Sequence, residues 1–543
     1  MNIDIAFVNL LDVMNLYTKS KPLGLLSLTN QLEKAGYIAK VFDFNYIYRN
    51  EENGLDLSNN TLINSYNMAN YIMTFAPRIV SIYTMCNNLN DAIQLSEVFK
   101  AIDDSIITIL SGPQGTMLAE EILNKVPSVD LIGYGEGEDT IVDIVGTLVN
   151  QGAYDLEGVE GIAYRNPEGE VFINVHNSIV DLDTLLPLKF EMIDSVENIR
   201  KSPIEMEIGR GCPFSCKYCS TSIFWGRKFR VKSVAKVISE IKFYIAKYKT
   251  NSFLFHHDLL TFRKDYILEL CNEILNQRLS ISWGCYSRLD VIDEEMISIM
   301  AKAGCKTIYF GIETGSSKIQ KIIGKNLELD KINRILPVLI ENNISSEYSF
   351  IIGFPEETEE DIDMTLEFAT NLRKIQVVHG QEKYNLAVDI FQLQFYPKTE
   401  MTRKYYDQLE CSEYAIEPRI HNPYYPIMNS DIYISRIREN KDLFVNFYNT
   451  ETNLDEKNIQ LPRFCMCILN SLFNYAPNRF FDCITKGCKI FDLYNYLWDV
   501  DKEYVFQIIK ELIFNPNQGG DREKEILEEL MIRVEMFVKR KMC

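Results

Sequence analysis

The stretch Gly209-Arg210-Gly211-Cys212-Pro213-Phe214-Ser215-Cys216-Lys217-Tyr218-Cys219-Ser220 is the most informative part of this chain of 543 residues. It follows a short apolar segment and places three cysteines in a CxxxCxxC spacing. An iron-sulfur cube needs one ligand on each iron, so three cysteines on a tight loop leave one iron open to a non-protein ligand. A structural zinc site would instead close its tetrahedron with a fourth Cys or His. A zinc loop or three core cysteines is the alternative, but the Pro, Lys and Ser between the thiols favour a loop.

This loop resembles the cluster loop of the radical SAM superfamily, because Gly209 and Gly211 precede it and Tyr218 lies beside its last cysteine. The resemblance implies a 4Fe-4S cluster whose open iron chelates the amino and carboxylate groups of S-adenosylmethionine (SAM). In that family, SAM is cleaved to methionine and a 5'-deoxyadenosyl radical, which removes hydrogen from an unactivated carbon. The metal ligands that the resemblance implies are Cys212, Cys216 and Cys219.

Composition and charge exclude several classes of protein. Hydrophobic residues make up 46% and charged residues 24%, which is typical of a soluble globular protein, and the length suggests several domains. The formal charge of -20 argues against a surface that neutralises phosphates, so we expect no nucleic-acid partner. No apolar run reaches the ~18 residues of a membrane span, and the start Met1–Asp4 does not look like a signal peptide. We therefore predict a cytoplasmic protein without a membrane partner, and its thirteen dispersed cysteines fit a reducing compartment.

Residues 1–150 alternate short apolar strands with amphipathic helices, which predicts a doubly wound α/β domain. The strands are continuously apolar, as is typical of a parallel sheet covered on both faces. Ligands of such sheets bind at the carboxyl ends of the strands. The predicted helices are Leu23–Ala35 and Asn90–Ala101, and the predicted strands are Ile3–Leu10, Ala39–Phe44, Ile79–Tyr83, Ile106–Leu110 and Asp130–Ile132.

Glycine-rich turns follow two of these strands, at 111–116 and 133–138, and glycine lets a backbone approach a large ligand closely. Taken alone, such turns also fit generic nucleotide binding or mere tight turns. Together with Pro22-Leu23-Gly24-Leu25-Leu26, they make roughly the first 145 residues resemble the cobalamin-binding domain that precedes many radical SAM domains. The cobalamin contacts that this resemblance implies are Thr84, Gly112, Gln114, Gly133, Gly135 and Glu136.

The positions of the histidines bear on how cobalt would be held. All five, at 176, 256, 257, 379 and 421, lie outside this domain, so a DxHxxG motif that ligates cobalt from below is absent. Family members with this trait hold cobalamin with its own base detached and the lower face unligated or met by another group. Gln114 stands where related sequences often carry a His, so the ligand on the lower face stays open.

Residues 151–200 and 201–400 form the next two predicted units, a connector and the radical SAM domain. In the connector, Gly161–Arg165 and Val171–Ile173 alternate around an Asn-Pro-Glu-Gly turn, which predicts a small hairpin. The second unit contains six strand-helix repeats, which predict a partial (β/α)6 barrel. Its predicted strands are Ile204–Ile208, Ser252–Phe255, Ile281–Tyr286, Thr307–Phe310, Ser346–Ile352 and Val388–Phe395.

Catalytic groups of such barrels lie at the carboxyl ends of the strands, and this rule sorts the candidate SAM contacts. Arg288 is expected to pair bidentately with the SAM carboxylate, and a structural ion pair with Asp290 is the competing interpretation. Glu313 lies where the family contacts the ribose or the amino group, and a carboxylate accepts hydrogen bonds from either. The turn that contains Gly353 and Pro355 resembles the family's adenine-contacting turn. No residue is assigned as catalytic.

The second barrel strand ends in His256-His257-Asp258, where relatives commonly show paired acidic residues before a Phe-Thr. Only the second acid, Asp258, is kept, and we expect it or the adjacent backbone near the methionine amino group of SAM. His256 and His257 are equally well explained as satisfied polar groups at a strand end. The stretch Trp225–Arg230 also matches the family, and its basic residues are expected to seat anionic parts of a cofactor.

Residues 401–543 lack the barrel pattern, and their helical spacing predicts a mostly helical carboxyl-terminal domain. We expect this domain to contact the substrate, although nothing in it names one. Its predicted helical segments are Phe464–Phe473, Lys502–Ile513 and Glu523–Val538. Four cysteines offer a second cluster as an alternative, but the segment Phe464–Ile468 fits a buried helix better. These cysteines are Cys465, Cys467, Cys483 and Cys488.

The resemblance implies a cobalamin-dependent radical SAM enzyme, above all a C-methyltransferase acting on a peptide or a small natural product. Its cofactors would be the 4Fe-4S cluster, SAM and cobalamin, and its electron donor a flavodoxin or ferredoxin. Within the same architecture, cyclisation or ring rearrangement without methyl transfer is the second hypothesis. The acidic charge and the lack of an amino-terminal cluster domain disfavour a tRNA methylthiotransferase. A non-catalytic corrinoid-binding or redox-sensing protein is the hypothesis from another class.

Overall fold

Two mainly parallel β-sheets organise the part of the chain that the structure, a computed structural model, describes. That part comprises residues 2–10, 20–48, 61–151, 156–194, 203–378, 386–411, 431–451, 456–513 and 521–542. Of the histidines considered above, His379 and His421 lie outside the described residues. Within the described ranges, no helix combines the length and the apolar character needed to cross a membrane.

The first sheet is built from seven strands, which are β1 (Ile5–Asn9), β2 (Ala39–Asp43), β3 (Ile79–Tyr83), β4 (Ile107–Ser111), β5 (Leu131–Gly133), β6 (Ile162–Arg165) and β7 (Val171–Asn174). They lie in the order β2-β1-β3-β4-β5-β6-β7. The first five are parallel, as predicted, and β6 and β7 are antiparallel. The hairpin predicted in the connector is therefore confirmed, but it extends the first sheet because β6 pairs with β5.

Alternating side chains of β1 show why this sheet is covered on both faces. Ile5 and Phe7 enter one buried cluster with Leu25, whereas Ala6 enters a second cluster with Phe99. The strand order reverses between β1 and β3, and such a switch point leaves a crevice at the carboxyl ends of the strands. The helices of this region are Leu23–Lys34, Phe44–Ile47, Thr61–Met73, Leu89–Ile102, Pro113–Met117, Ala119–Lys125 and Ile141–Gln151.

The second sheet is the predicted partial barrel. Its first strand is β8 (Ile204–Glu207), which is followed by a two-stranded antiparallel ribbon, β9 (Gly209–Arg210) and β10 (Arg230–Val231). The other strands are β11 (Ser252–His256), β12 (Ser282–Ser287), β13 (Cys305–Glu313), β14 (Ser345–Ile352) and β15 (Leu386–Gln392). The order is β15-β14-β13-β12-β11-β8, and all six strands are parallel. The ribbon was not predicted, since two residues per strand are too few to show a pattern.

Helices cover the outside of the barrel, where large aromatic side chains fill the space beneath them. Phe310 stacks on Tyr348 with ring centroids 5.4 Å apart, and Phe255 stacks on Trp283 at 4.9 Å. The barrel helices are Val234–Tyr248, Lys264–Asn276, Glu294–Lys302, Ser317–Ile322, Ile332–Glu341 and Glu359–Val378.

The carboxyl-terminal region is helical, as predicted, but its packing is divided between the two sheets. Residues 431–451 pack on the first sheet, where Arg436 Nη2 lies 2.7 Å from a Glu97 oxygen of helix Leu89–Ile102. The later helices pack on the barrel, where Asn470 Nδ2 donates to the Val388 carbonyl of β15 at 2.7 Å. The helices are Asp431–Glu439, Glu456–Cys467, Pro477–Thr485, Ile490–Val500, Lys502–Ile513 and Asp521–Met542. The cysteines considered for a second cluster are buried in the hydrophobic core, at Cys465, Cys467, Cys483 and Cys488.

Candidate active site

The cysteine loop starts from a very tight passage of the backbone. A side chain at Gly209 would collide with the carbonyl oxygen of Arg230, and one at Gly211 would collide with that of Lys228. Gly211 also has a φ of +86°, in the region that favours glycine. The two glycines therefore let the chain fold back beneath the ribbon and bring Cys212 to the carboxyl end of β8.

The three cysteines of this loop are free and half-buried. Burial raises the pKa of the Cys212 thiol to about 11, and the neighbouring thiols of Cys219 and Cys216 add to the shift. Burial also raises the pKa of Cys219. A structural zinc site would close its tetrahedron with a fourth Cys or His, whereas this loop supplies three thiols. Three free thiols on one loop fit the ligands predicted for an iron-sulfur cube, which binds each sulfur to a different iron.

Backbone hydrogen bonds fasten the middle of the loop to the helices that follow two barrel strands. The Lys217 amide donates to the Ile323 carbonyl at 2.9 Å, beyond β13. The Lys217 carbonyl accepts from the Met401 amide at 3.0 Å, beyond β15. The ring of Tyr218 packs edge-on against Phe354, with centroids 6.0 Å apart. The loop is thus held against the segments that follow β13, β14 and β15.

Arg288 lies beside the cysteine loop and is buried, with 6% of its surface exposed. Its Nε and Nη2 donate to the Asp290 carboxylate at 3.0 and 2.9 Å, so the competing ion pair is present. Its Nη1 lies 3.5 Å from Cys216 Sγ, and its guanidinium lies 3.7 Å from the centre of the Phe214 ring. Asp290 therefore directs the guanidinium towards the cysteines, and the pairing of Arg288 with the SAM carboxylate stays a prediction.

Asp258 lies at the exposed rim of the site, and its Oδ2 accepts from the Gly211 amide at 2.7 Å. Although the residue as a whole is exposed, burial of its carboxyl group by the surrounding loops raises the pKa of Asp258. The buried His257 accepts from the Leu259 amide at Nδ1, at 2.8 Å, and its Nε2 lies 3.1 Å from the Arg230 carbonyl. Burial lowers the pKa of His257 to about 4, so the ring is neutral and donates from Nε2. His257 is therefore a satisfied polar group that supports β10.

His256 is also satisfied, because its Nε2 lies 3.0 Å from Glu205 Oε2 of β8. The same carboxylate accepts from the Ser20 hydroxyl at 3.0 Å and from the Lys21 amide at 3.0 Å. Both histidines that the sequence left open thus act as structural hydrogen-bonding groups, and His256 belongs to a contact between β8 and the amino-terminal region.

Glu313 ends β13 with a φ of +69°, an unusual conformation for a residue with a side chain. Such conformations cost about 1–3 kcal/mol and concentrate at functional sites. Its Oε1 accepts from the buried Lys325 ammonium at 2.5 Å, and the Ser349 hydroxyl lies 3.5 Å from Oε2. The Tyr218 hydroxyl also forms a hydrogen bond with Glu313. Lys325 was missed from sequence because nothing local marks it as the partner of Glu313.

The turn after β14 is closed by a carboxylate that the sequence did not single out. Glu357 Oε2 accepts from the amides of Gly353, at 2.6 Å, and Phe354, at 3.3 Å. Gly353 has a φ of +98°, and Pro355 lies half-buried between the two arms of the turn. Burial raises the pKa of Glu357 to about 8, and its Oε1 is buried without a hydrogen-bond partner. The predicted adenine turn is therefore preformed.

Thr84, which follows β3, hydrogen-bonds to the neighbouring turn at the carboxyl edge of the first sheet. Its hydroxyl donates to the Ser111 carbonyl at 2.6 Å and accepts from the Gly115 amide at 3.0 Å. Gly112 has a φ of +92°, and an added Cβ would lie 2.7 Å from the Tyr83 ring and 2.8 Å from the Thr84 carbonyl oxygen. This turn accepts only glycine at position 112.

Two features of this edge fit a large ligand such as a corrinoid. Gln114 is buried, with 1% of its surface exposed, and its Nε2 has no hydrogen-bond partner. Gly135 has a φ of +77°, and nothing lies within 4 Å of the Cβ position, so the backbone there is open to close approach. An added Cβ at Gly133 would make only an ordinary contact, 3.4 Å from Ser111 Cβ. The unpartnered amide of Gln114 suits a ligand that accepts a hydrogen bond.

The carboxyl edges of the two sheets face each other. Helix Pro113–Met117 contacts helix Thr221–Phe224, which starts two residues after Cys219. Glu136, predicted as a cobalamin contact, accepts hydrogen bonds from Arg210 and Arg230. Arg230 thus pairs with a protein carboxylate, and a direct role of either residue in binding a cofactor stays a prediction.

Residues 206–369 match the radical SAM superfamily. This range extends from β8 through the cysteine loop to helix Glu359–Val378. A parallel barrel with a three-cysteine loop at the carboxyl end of its first strand is the arrangement described above, and residues 206–369 form a radical SAM domain.

Two full-length relatives show which kinds of radical SAM protein the chain is similar to. The chain is 30% identical to an uncharacterized methyltransferase of Pyrococcus horikoshii over 313 residues, which are 56% of this chain and 66% of the relative. It is 29% identical to the anaerobic magnesium-protoporphyrin IX monomethyl ester cyclase of Rubrivivax gelatinosus over 307 residues, 55% of each chain. The match spans about half to two thirds of these relatives.

Two solved structures share the fold of this chain well beyond the radical SAM domain. One is the radical SAM methyltransferase TsrM of Kitasatospora setae with cobalamin and a 4Fe-4S cluster bound, at a TM-score of 0.61, 15% identity, and coverage of 75% of this chain and 78% of that one. The other is the cobalamin-dependent radical SAM enzyme OxsB with aqua-cobalamin bound, at a TM-score of 0.62, 15% identity, and coverage of 99% and 80%. The fold is therefore that of cobalamin-dependent radical SAM enzymes.

Proposed function

We propose that this protein is a cobalamin-dependent radical SAM enzyme that methylates an unactivated carbon of a peptide or a small natural product. The observation that carries the proposal is the contact between the two carboxyl edges. Helix Pro113–Met117, which contains Gln114, touches the helix that follows Cys219. A corrinoid at the first edge and SAM at the second would therefore border the same space.

The residues present fit these groups. Cys212, Cys216 and Cys219 would hold the cluster, while Asp258, Arg288, Glu313 and the turn at Gly353 and Pro355 would bind SAM. Thr84, Gly112, Gln114, Gly133, Gly135 and Glu136 would border the corrinoid. When bound, the cluster and SAM supply a 5'-deoxyadenosyl radical and cobalamin supplies a methyl group.

The chain's own contribution is to hold groups in place before the reaction. Lys325 fixes the Glu313 carboxylate through a buried ion pair, with side chains only 6% and 9% exposed. Asp290 fixes the Arg288 guanidinium, and Glu357 fixes the turn at Gly353. Pre-organised polar groups in a site shielded from water orient a ligand without further reorganisation. We further place the protein in the cytoplasm, with a flavodoxin or ferredoxin as its electron donor.

A ring-forming oxidoreductase without methyl transfer is the second candidate function. The similarity to the magnesium-protoporphyrin cyclase of Rubrivivax gelatinosus, at 29% identity, favours it. The similarity to the methyltransferase of Pyrococcus horikoshii, at 30% identity, favours methylation. The described side chains of the site serve either outcome, because both start from the same radical.

The products formed from SAM separate these functions. The protein is purified and reconstituted without oxygen, loaded with cobalamin, and reduced in the presence of SAM and candidate substrates. Methylation predicts S-adenosylhomocysteine and 5'-deoxyadenosine in equal amounts, whereas 5'-deoxyadenosine alone would overturn methyl transfer and favour ring formation. Absence of both products with an intact cluster would defeat the enzyme and leave a corrinoid-binding or redox-sensing protein.

A further inference from the structure

Five charged side chains join the turn after β5 to the ribbon that brackets the cysteine loop. We call this group the interdomain clamp; it consists of Glu136, Glu138, Glu207, Arg210 and Arg230. Two of its members, Glu136 and Glu138, lie on the glycine-rich turn at the carboxyl edge of the first sheet. The two arginines lie opposite each other in the ribbon, since Arg230 pairs with Arg210 in register.

Arg210 is the centre of the clamp and is buried, with 5% of its surface exposed. Its Nε donates to Glu207 Oε1 at 2.7 Å, and its Nη2 donates to Glu138 Oε1 at 2.5 Å. Its Nη1 donates to Glu136 Oε1 at 3.2 Å. One guanidinium therefore binds a carboxylate of the barrel and two carboxylates of the first sheet.

Arg230 completes the clamp from the other strand of the ribbon. Its Nη1 donates to Glu136 Oε2 at 3.1 Å and to the Val180 carbonyl at 3.2 Å. Its Nη2 forms a second, short bond with Glu136. Both guanidinium groups lie 5.7 Å from the centre of the Trp225 ring, which belongs to the segment just after the cysteine loop.

Buried ion pairs of this kind are weak evidence for stability, because desolvation offsets much of the attraction between the charges. Their geometry is nevertheless exact, since a planar guanidinium that donates to several carboxylates fixes both distance and direction. Arg210 lies two residues before Cys212, and Glu136 follows Gly135 directly. The clamp thus joins the two predicted cofactor loops directly.

We propose that the interdomain clamp is a positioning device that sets the distance between the turn at 133–138 and the cysteine loop. Glu136, Glu138, Arg210 and Arg230 are its positioning residues, and they act through the loops that they hold. The inference rests on the proposed function only in that those loops hold a corrinoid and a cluster. That one network orders both loops together does not depend on which cofactors these loops bind.

Hydrogen–deuterium exchange of the full-length protein with the Glu138→Gln variant tests this joint ordering of the two loops. The variant leaves Arg210 paired with Glu207 and Glu136, so the chain is expected to fold. We expect amide exchange to rise together in 133–138 and in both strands of the ribbon, by about tenfold, while strands β12 to β14 stay unchanged. A rise on only one side of the clamp, or on neither, would overturn the proposal.

A matched control removes an exposed ion pair that also joins distant segments. Lys125 lies 2.6 Å from Asp442, with side chains 39% and 34% exposed. Asp442→Asn should leave exchange in the clamp unchanged, because exposed pairs contribute little. An equal rise in this variant would mean that any long-range ion pair orders the two loops, which would also defeat the proposal.

Electron spin measurements on the holoenzyme test the positioning role itself. With Co(II) cobalamin and the reduced cluster bound, dipolar coupling reports the distance between the two metals. Glu138→Gln should broaden the distribution of metal–metal distances or increase its mean. An unchanged distribution would overturn the positioning role even if amide exchange increases. Should the unaltered protein bind no corrinoid, the proposed function fails, and the exchange experiment alone decides whether the clamp orders both loops.

Discussion

The two carboxyl edges that face each other differ in what they are made of. The barrel edge carries three thiols and the buried guanidinium of Arg288, 3.5 Å from one of them. It also carries Glu313, whose backbone is left-handed and whose carboxylate pairs with the buried Lys325 ammonium. The edge of the first sheet carries Thr84, Gly112 and Gln114, none of which is charged. On the barrel side, charge is therefore concentrated and compensated. The turns after β3 and β4 of the first sheet instead offer backbone, hydroxyl and amide groups, and the acidic Glu136 and Glu138 on the turn after β5 are paired with arginines.

This difference teaches which kind of ligand each edge suits. Compensated charges hold a cluster and a small zwitterion, since each bound charge meets a fixed partner. A glycine turn with one unpartnered amide suits a large ligand that makes a broad contact and accepts few hydrogen bonds. At the interdomain clamp, carboxylates from the first edge meet cations from the second. Away from the clamp, a change at one edge should thus leave the other edge intact.

The largest expected effect follows from replacing Cys212, Cys216 and Cys219 together by Ala. Iron and sulfide should be lost completely, because the triple variant removes all three predicted ligands of the cluster, while corrinoid binding at the other edge persists. Metal analysis and absorbance of the reconstituted protein measure both. Cys411→Ala is the control, since Cys411 is also free and half-buried but lies outside the loop. Retention of iron by the triple variant would contradict the assignment of the ligands.

The cysteines also show what could be predicted from sequence. Their spacing is local, and so is the continuous apolar pattern of β3, whose bounds Ile79–Tyr83 match the prediction without change. Pairings between distant residues leave no such pattern. Arg210 meets Glu138 across 72 residues, and Lys325 meets Glu313 across a helix and a turn.

Conformation was equally hidden at several positions. A left-handed Glu313 arises because a bulge between β13 and β14 shifts the register at Gly311 and Glu313. The hairpin of β6 and β7 was predicted, but its attachment to β5 depends on edge pairing, which sequence alone does not specify. The fold and the positions of the candidate site were therefore accessible, whereas the residues that hold those positions were not.

The next effect concerns stability at the barrel edge. Glu313→Gln leaves the Lys325 ammonium buried without its counter-charge, so the free energy of unfolding should fall by about 3–5 kcal/mol. Urea denaturation measures this change. The double variant Glu313→Gln with Lys325→Met should recover much of the loss, because it removes the orphaned charge as well.

Glu400→Gln is the matched control for that pair. Glu400 lies 3.2 Å from Lys217, but the two side chains are 64% and 40% exposed, so the loss should not exceed about 1 kcal/mol. An equally small loss in Glu313→Gln would show that water solvates the Lys325 ammonium once its partner is gone. The barrel edge would then lack the buried, compensated charge that distinguishes it.

A smaller effect is expected from Gly112→Ala at the other edge. The residue has φ +92° and ψ -178°, a conformation essentially restricted to glycine, and the new Cβ would meet the Tyr83 ring at 2.7 Å. The free energy of unfolding should fall by about 2–4 kcal/mol, and corrinoid retention should fall with it while iron content is unchanged. Gly133→Ala, with its nearest contact at 3.4 Å, should change stability by less than about 1 kcal/mol. Loss of iron in Gly112→Ala would contradict the independence of the two edges.

The smallest effect has opposite signs without and with a ligand, which makes it the sharpest test of the first edge. Gln114→Met removes a buried donor that has no partner, so the ligand-free protein should gain up to about 1 kcal/mol. Corrinoid retention should decrease, since the lost amide is the group expected to donate to the ligand. Gln94→Met should instead destabilise the protein, because Gln94 Nε2 donates to the Ser65 hydroxyl at 3.1 Å. If Gln114→Met leaves corrinoid retention unchanged, the unpartnered amide is not part of the site, and the first edge binds through glycine and threonine alone.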